Sequence, residues 1–229
     1  MGNMTKKIVI FSPHPDDEII SAGGSLLRWK EEGYDVHIIY LSDGRAAYSF
    51  ERKNKNVTSV KATQISEVEL ARIRMQEVNE VVEFLELPKN NIHKFMFPDQ
   101  EVNKNKRKGI EKSKEIIKDA IRLVIPSNNN LHIDHQATFD IATEAAKELN
   151  LQNMEFYVYA IYLGIEAPKE HKIKINIEKY NQKIYEALQL YASQTYIKTV
   201  NAMFERKKRQ KWERFGVFSL KDLGQFHNF

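Results

Sequence analysis

A chain of 229 residues, 42% hydrophobic and 29% charged, has the length of one large globular domain and can bury a sizeable core. It contains no cysteine, which excludes a disulfide framework, thiolate metal ligation and a cysteine nucleophile, so any metal chemistry must run on histidine and carboxylate. The net charge of +4 with interspersed acids and bases demands no nucleic-acid partner. The apolar run at 156–165 falls well short of the roughly 20 residues that span a bilayer, and residues 1–7 lead into a strand rather than a signal segment, so a cytoplasmic protein without a membrane anchor is expected.

Apolar runs of strand length alternate with longer segments of helical period, the pattern of a mostly parallel sheet flanked by helices, so the predicted class is α/β in one domain over residues 1–229. The first strand is placed at 7–13 and the first helix at 18–32, with Gly33 as its stop. A second strand follows at 36–41. Residues 42–65 are polar and weakly periodic and read as a long loop before a helix at 66–87. That helix has an apolar face of Val68, Ala71, Ile73, Val78, Val81, Val82 and Leu85, with its Arg and Glu residues mostly elsewhere, and Pro88 ends it. The third strand is 92–97, then a turn at Pro98-Asp99-Gln100 and an exposed lysine-rich loop at 103–108. Residues 110–125 begin as a helix; 122–125 fits either its end or a short strand. A breaker cluster at 126–130 precedes a helix at 135–149, with Asp134 as its expected N-cap. A strand at 156–163, a helix at 177–191 and a basic, aromatic tail at 204–229 complete the chain.

Ser12-Pro13-His14-Pro15-Asp16-Asp17-Glu18 falls where the first strand passes into the first helix, which in an open parallel sheet is the carboxyl edge where ligands bind. One imidazole and adjacent carboxylates on a proline-stiffened turn suit a site in which one acid binds metal and its neighbour handles a proton. The plainer alternative is a first turn whose acids complement the helix dipole. His132-Ile133-Asp134-His135 stands before another helix; by themselves these would be ordinary capping residues. Joined, the two clusters offer His, Asp and His for a three-ligand catalytic zinc with an open position, plus spare acid and base groups.

In these motifs the chain resembles the PIG-L or LmbE-like family of zinc-dependent N-acetylglucosaminyl deacetylases. Pro13 to Glu18 matches the signature P-H-P-D-D-E, and His132 to His135 matches H-P-D-H with Ile133 in place of proline. Further similarity lies in Leu41-Ser42-Asp43-Gly44, in Arg74 with Glu77, in Pro98-Asp99 and in Tyr191 to Gln194, although Arg45 stands where relatives commonly carry an acid. The resemblance implies a Rossmann-like fold and one Zn2+ per chain held by His14, Asp17 and His135. Asp16 would be the general base, a protonated His132 would stabilise the oxyanion, and Asp134 would orient His132. Arg74 and Asp99 would hold sugar hydroxyls, although a charged helix face and a turn-shaping acid are the plainer readings of these two. The implied reaction removes acetyl from an N-acetylated amino sugar, a small-molecule substrate, giving amine and acetate. Relatives often form homo-oligomers.

Two other readings compete. The same site could cleave a different acyl amide or an ester, or the fold could serve as a non-catalytic binding module. The basic stretch around Arg206, Lys207, Lys208, Arg209, Lys211 and Trp212 could engage nucleic acid or rim the site, but reads best as a solvated tail helix.

Overall fold

The computed structural model describes residues 6–223. Lys7–Ser12 forms β1, and its run Ile8, Val9, Ile10, Phe11 is completely buried, as a strand with both faces covered requires. Parallel neighbours are β2 (Asp35–Ser42), β3 (Ile92–Phe97), β4 (Ala120–Pro126) and β5 (Glu155–Tyr159). Two further strands, β6 (Lys172–Asn176) and β7 (Trp212–Phe218), extend the sheet antiparallel beyond β5, giving the order β3-β2-β1-β4-β5-β7-β6. The fold is therefore a mixed but mainly parallel α/β sheet of seven strands among the described residues.

Because side chains alternate along a strand, Ile8 and Ile10 enter one core and Val9 and Phe11 the other. The first core is covered by α1 (Asp17–Glu31), α4 (Glu67–Phe84) and α7 (Asn181–Leu190), the second by α5 (Lys106–Ile117) and α6 (Ile133–Glu148). Gly33 ends α1 at φ 83, its N–H donating to Lys30 O at 3.1 Å while Tyr34 N–H reaches Trp29 O at 3.0 Å. After β1 the chain builds outward through β2 and β3, then returns to place β4 on β1's other side. The carboxyl ends of β1 and β4 therefore flank the point where strand order reverses.

Several expectations are corrected. Residues 42–65 are not a bare loop but hold the short helices α2 (Ala47–Lys53) and α3 (Val60–Gln64). The supposed loop at 103–108 is a 3-10 turn, Asn103–Asn105, running into α5, and the strand reading of 122–125 is the one realised, as β4. In α4, Val68 is 72% exposed, whereas Arg74 and Glu77 lie on the buried face. No helix among the described residues is long and apolar enough to cross a membrane.

Most of the described part of the 204–229 stretch is not a solvated tail. It contains the end of α8 (Lys198–Lys207), β7 and the short α9 (Leu220–Leu223), with Phe204 and Phe215 in the core; residues 224–229 lie outside the described ones. Glu213 is buried, accepting the Gly24 and Ser25 N–H groups at 2.9 and 2.8 Å, and Lys207 is buried nearby, donating to Ile20 O and to Gln210 Oε1 at 2.6 Å. Burial pushes the Lys207 ammonium down to about 8, with Glu213 opposing that shift. An unfolded lysine titrates near 10.4, so between about pH 8 and 10.4 the unfolded chain binds more protons and Lys207 makes stability rise with pH. Subtracting the stability of Lys207→Met from wild type should therefore give a difference that grows by about 2–3 kcal/mol from pH 7.5 to 10.5. Denaturant melts at a series of pH values measure it, and a flat difference would show that Lys207 is not a depressed, buried cation.

Candidate active site

The eight residues singled out from sequence all come together at the carboxyl edge of the sheet, around the ends of β1 and β4. β1 ends at Ser12, whose hydroxyl donates to Glu18 Oε2 at 2.9 Å and lies 2.6 Å from His14 O. Asp16 then takes up φ 114 and ψ −28, a conformation costly for any side chain, in front of α1. Two groups hold it there. Glu18 Oε2 accepts the Asp16 N–H at 3.1 Å, and the Arg74 guanidinium donates to Pro15 O, lies 3.2 Å from Asp16 Oδ2 and donates to Gly44 O at 3.1 Å. Gly44, at φ 66, must be glycine because a Cβ there would run into that guanidinium.

Asp17 Oδ2 accepts the His14 N–H at 2.9 Å and lies 3.1 Å from His14 Nδ1 and 3.3 Å from His135 Nε2. One ligand atom from each of His14, Asp17 and His135 lies within 4.8 Å of the others, as does one from each of His14, Asp99, His132 and Asp134. A tetrahedral zinc with arms of about 2.0–2.1 Å has ligand-to-ligand edges of roughly 3.3–3.4 Å. The spacing and the hard-to-borderline N and O donor set therefore fit that ion. On the far side of the imidazole, His14 Nε2 is 3.2 Å from Asp99 Oδ1 and 3.4 Å from Asp134 Oδ2. Asn130 Nδ2 lies 3.3 Å from His135 Nδ1 and its Oδ1 accepts the His132 N–H at 2.8 Å.

Burial and neighbouring charges together set the titration of this cluster. It raises the Asp16 carboxyl well above the usual range, aided by Asp17 and Glu18 and opposed by Arg74 and His14. Burial also works to raise Asp17, but His135 and His14 outweigh it and hold Asp17 ionised well below the usual range. For His14, burial disfavours a charge, yet Asp99, Asp134 and Asp17 together keep its pKa well above normal. Burial raises Glu18, whose carboxylate is answered by hydrogen bonds from Tyr191, Ser12 and Tyr40.

The N-cap expectation is corrected here, and the surroundings of His132, Arg74 and Asp99 differ from those that the resemblance implies. Where the resemblance implies an imidazolium at His132, burial, then repulsion from His14 and His135, pushes its pKa down to about 4. The N-cap of α6 is His132, not Asp134; His132 Nδ1 accepts the Asp134 N–H at 3.2 Å. Its orienting hydrogen bond thus comes from the Asp134 backbone, while the Asp134 carboxylate accepts Gln100 N–H at 2.7 Å and Val102 N–H at 3.2 Å and so latches the turn after β3. Arg74, 2% exposed, turns its two terminal nitrogens to Gly44, Pro15 and Asp16 and leaves Nε buried without a partner. Asp99 is also buried, because Ala46 N–H donates to its Oδ2 at 3.1 Å and its Oδ1 faces His14.

Two supports have no role assigned from the sequence: Glu18, although it closes the first motif, and Asn130. For Glu18 the available signal is three consecutive acids where dipole complementation needs no more than one or two; for Asn130 there is none beyond its place at a strand end. The motif fragments 74–77 and 191–194 meet here, with Glu77 accepting the Ser193 N–H at 2.6 Å and Oγ–H at 2.7 Å, and the Tyr191 hydroxyl donating to Glu18 Oε1 at 2.5 Å.

A family model described as GlcNAc-PI de-N-acetylase, PIG-L, matches residues 9–146. Over 42 residues the chain is 52% identical to a putative glucosamine-6-phosphate deaminase-like protein of Bacteroides thetaiotaomicron, a stretch covering 18% of this chain and 6% of that protein. Over 100 residues it is 31% identical to diacetylchitobiose deacetylase of Thermococcus kodakarensis, covering 44% of this chain and 32% of that protein. The aligned stretches thus span only a minor part of both curated relatives. The solved structure of N,N'-diacetylchitobiose deacetylase from Pyrococcus horikoshii superposes with a TM-score of 0.69 at 19% identity, covering 95% of this chain and 85% of that one, which establishes likeness of fold.

Proposed function

The chain belongs to the PIG-L family, and from that premise we propose that it is a zinc-dependent hydrolase removing acetyl from an N-acetylated amino sugar, with His14, Asp17 and His135 as the ligands. The observation that carries this reading is Asp17 Oδ2 set between His14 Nδ1 at 3.1 Å and His135 Nε2 at 3.3 Å, with the raised carboxyl of Asp16 on the adjacent residue. The acetylated disaccharide named for the Thermococcus relative supports an amino sugar as the substrate class.

Bound zinc would supply Lewis-acid activation of water and of the amide carbonyl. Asp16 takes the proton from the attacking water and passes it to the departing nitrogen, a shuttle for which a carboxyl raised above its usual range by burial is suited. His132 acts as a neutral donor. Its Nδ1 is occupied as acceptor of the Asp134 N–H, so its proton sits on Nε2, from which it can stabilise the oxygen that gains charge as the carbonyl becomes tetrahedral. Amide and water become free amine and acetate.

Metal content is the first test. Protein purified without an affinity tag should carry about one zinc per chain, with His135→Ala losing most of it, and only the loaded wild type should release acetate from N-acetylated amino sugars. If neither protein holds zinc even after its addition, the metal centre is wrong; zinc without acetate release, but with release of other acyl groups, would shift the substrate.

A further inference from the structure

We infer that Asp99 is a positioning residue for the metal ligand His14, fixing which ring nitrogen faces the metal, and is not a sugar contact; this rests on the metal reading above. His14 points its two nitrogens at different partners, Nδ1 toward Asp17, whose Oδ2 also faces His135 Nε2, and Nε2 toward Asp99 and Asp134. A histidine that ligates through one nitrogen is normally held by a hydrogen bond from the other to a carboxylate, which sets the tautomer and raises the basicity of the ligating atom.

Hydrogen-bond accounting selects Asp99 over Asp134. Both Asp134 oxygens already accept backbone N–H groups, from Gln100 and Val102. Asp99 has one oxygen engaged by Ala46 N–H, while Oδ1 is buried without a well-formed hydrogen bond. His14 Nε2 is in the same condition, and the two orphaned atoms stand 3.2 Å apart. Each is the other's available partner, since a buried polar atom left unmatched is costly.

Asp99 is itself fixed in place. It lies 7% exposed on the turn closed by Glu101 N–H to Pro98 O at 2.9 Å, and its own N–H points at Asp43 Oδ1 at 3.4 Å.

The test is Asp99→Asn in the full chain. Asparagine has one acceptor oxygen for two donors, Ala46 N–H and His14 Nε2–H, so one loses its partner. Zinc affinity, read by chelator competition, should weaken about 10–100-fold. With zinc saturating, KM for an N-acetylated amino sugar should stay within about twofold, a split that a sugar contact reverses. Zinc affinity unchanged beside a raised KM would overturn the inference. Independently of whether the variant folds, nitrogen-15 histidine spectra of zinc-loaded wild type should show His14 ligating through Nδ1 with a protected proton on Nε2, and ligation through Nε2 would overturn it. Failure of the wild type to bind zinc would sink the metal reading and the inference together, whereas altered zinc affinity in the variant with no deacetylation by either protein would sink only the proposed reaction.

Discussion

Asp16→Asn should lower kcat by about 10²–10⁴-fold while leaving zinc content at the wild-type level. The substitution keeps the shape of the side chain and removes its ability to take a proton. Neither ligand nitrogen nor the Asp17 carboxylate depends on it, since Asp17 is held by the His14 N–H and the two imidazoles. The backbone at Asp16 is also secured without its carboxyl, through Glu18 Oε2 on its N–H and the Arg74 guanidinium on Pro15 O. Steady-state kinetics with metal analysis on the same preparation read both quantities. A loss smaller than about tenfold would mean another group moves the proton.

Arg74→Ala should cost about 3–5 kcal/mol of stability, because it strips the donors from two carbonyls, Pro15 O and Gly44 O, and removes the cation beside Asp16. Its effect on catalysis follows from the same contacts. With Arg74 gone, the turn carrying Asp16 loses the clamp on Pro15 O and the ion pair at 3.2 Å, and misplacement of a proton-transfer group by about 1 Å can cost on the order of 10² in rate. Arg74→Lys should recover part of the stability, since an ammonium restores the charge beside Asp16 but not the planar fork that reaches Pro15 and Gly44 together. Urea unfolding and kinetics separate the outcomes. Wild-type stability with only KM raised would return Arg74 to the substrate-contact role that the family resemblance implies.

Much of the fold is readable from local pattern. Ile8 to Phe11, Ile38 to Leu41 and Leu123 to Ile125 are continuous apolar runs because central parallel strands bury both faces, and 92–97 is placed without error. The pattern fails where a charged side chain is buried by partners distant in sequence. Arg74 and Glu77 look like a solvated face until Gly44, Pro15 and Ser193 arrive to bind them. Glu213 disguises β7 in the same way, because its hydrogen bonds come from Gly24 and Ser25, nearly 190 residues away. The helices α2 and α3 escape notice because each is too short to show a period.

The chemistry was present in the sequence as two separate clusters, each at the end of a strand and the start of a helix, with the residue types of a metal hydrolase and no cysteine to compete. That much is local, since motif, turn and helix start are contiguous in the chain. Their union is not local. His14 and His135 meet because β1 and β4 are neighbours whose connections leave in opposite directions, opening a crevice between their carboxyl ends. Surroundings were decided there too: the burial and neighbouring imidazoles that push His132 down, and the His14 nitrogen that faces the one unmatched oxygen of Asp99, belong to the assembled site. Burial and hydrogen-bond partnership are properties of the assembled neighbourhood, and a residue's type alone does not contain them.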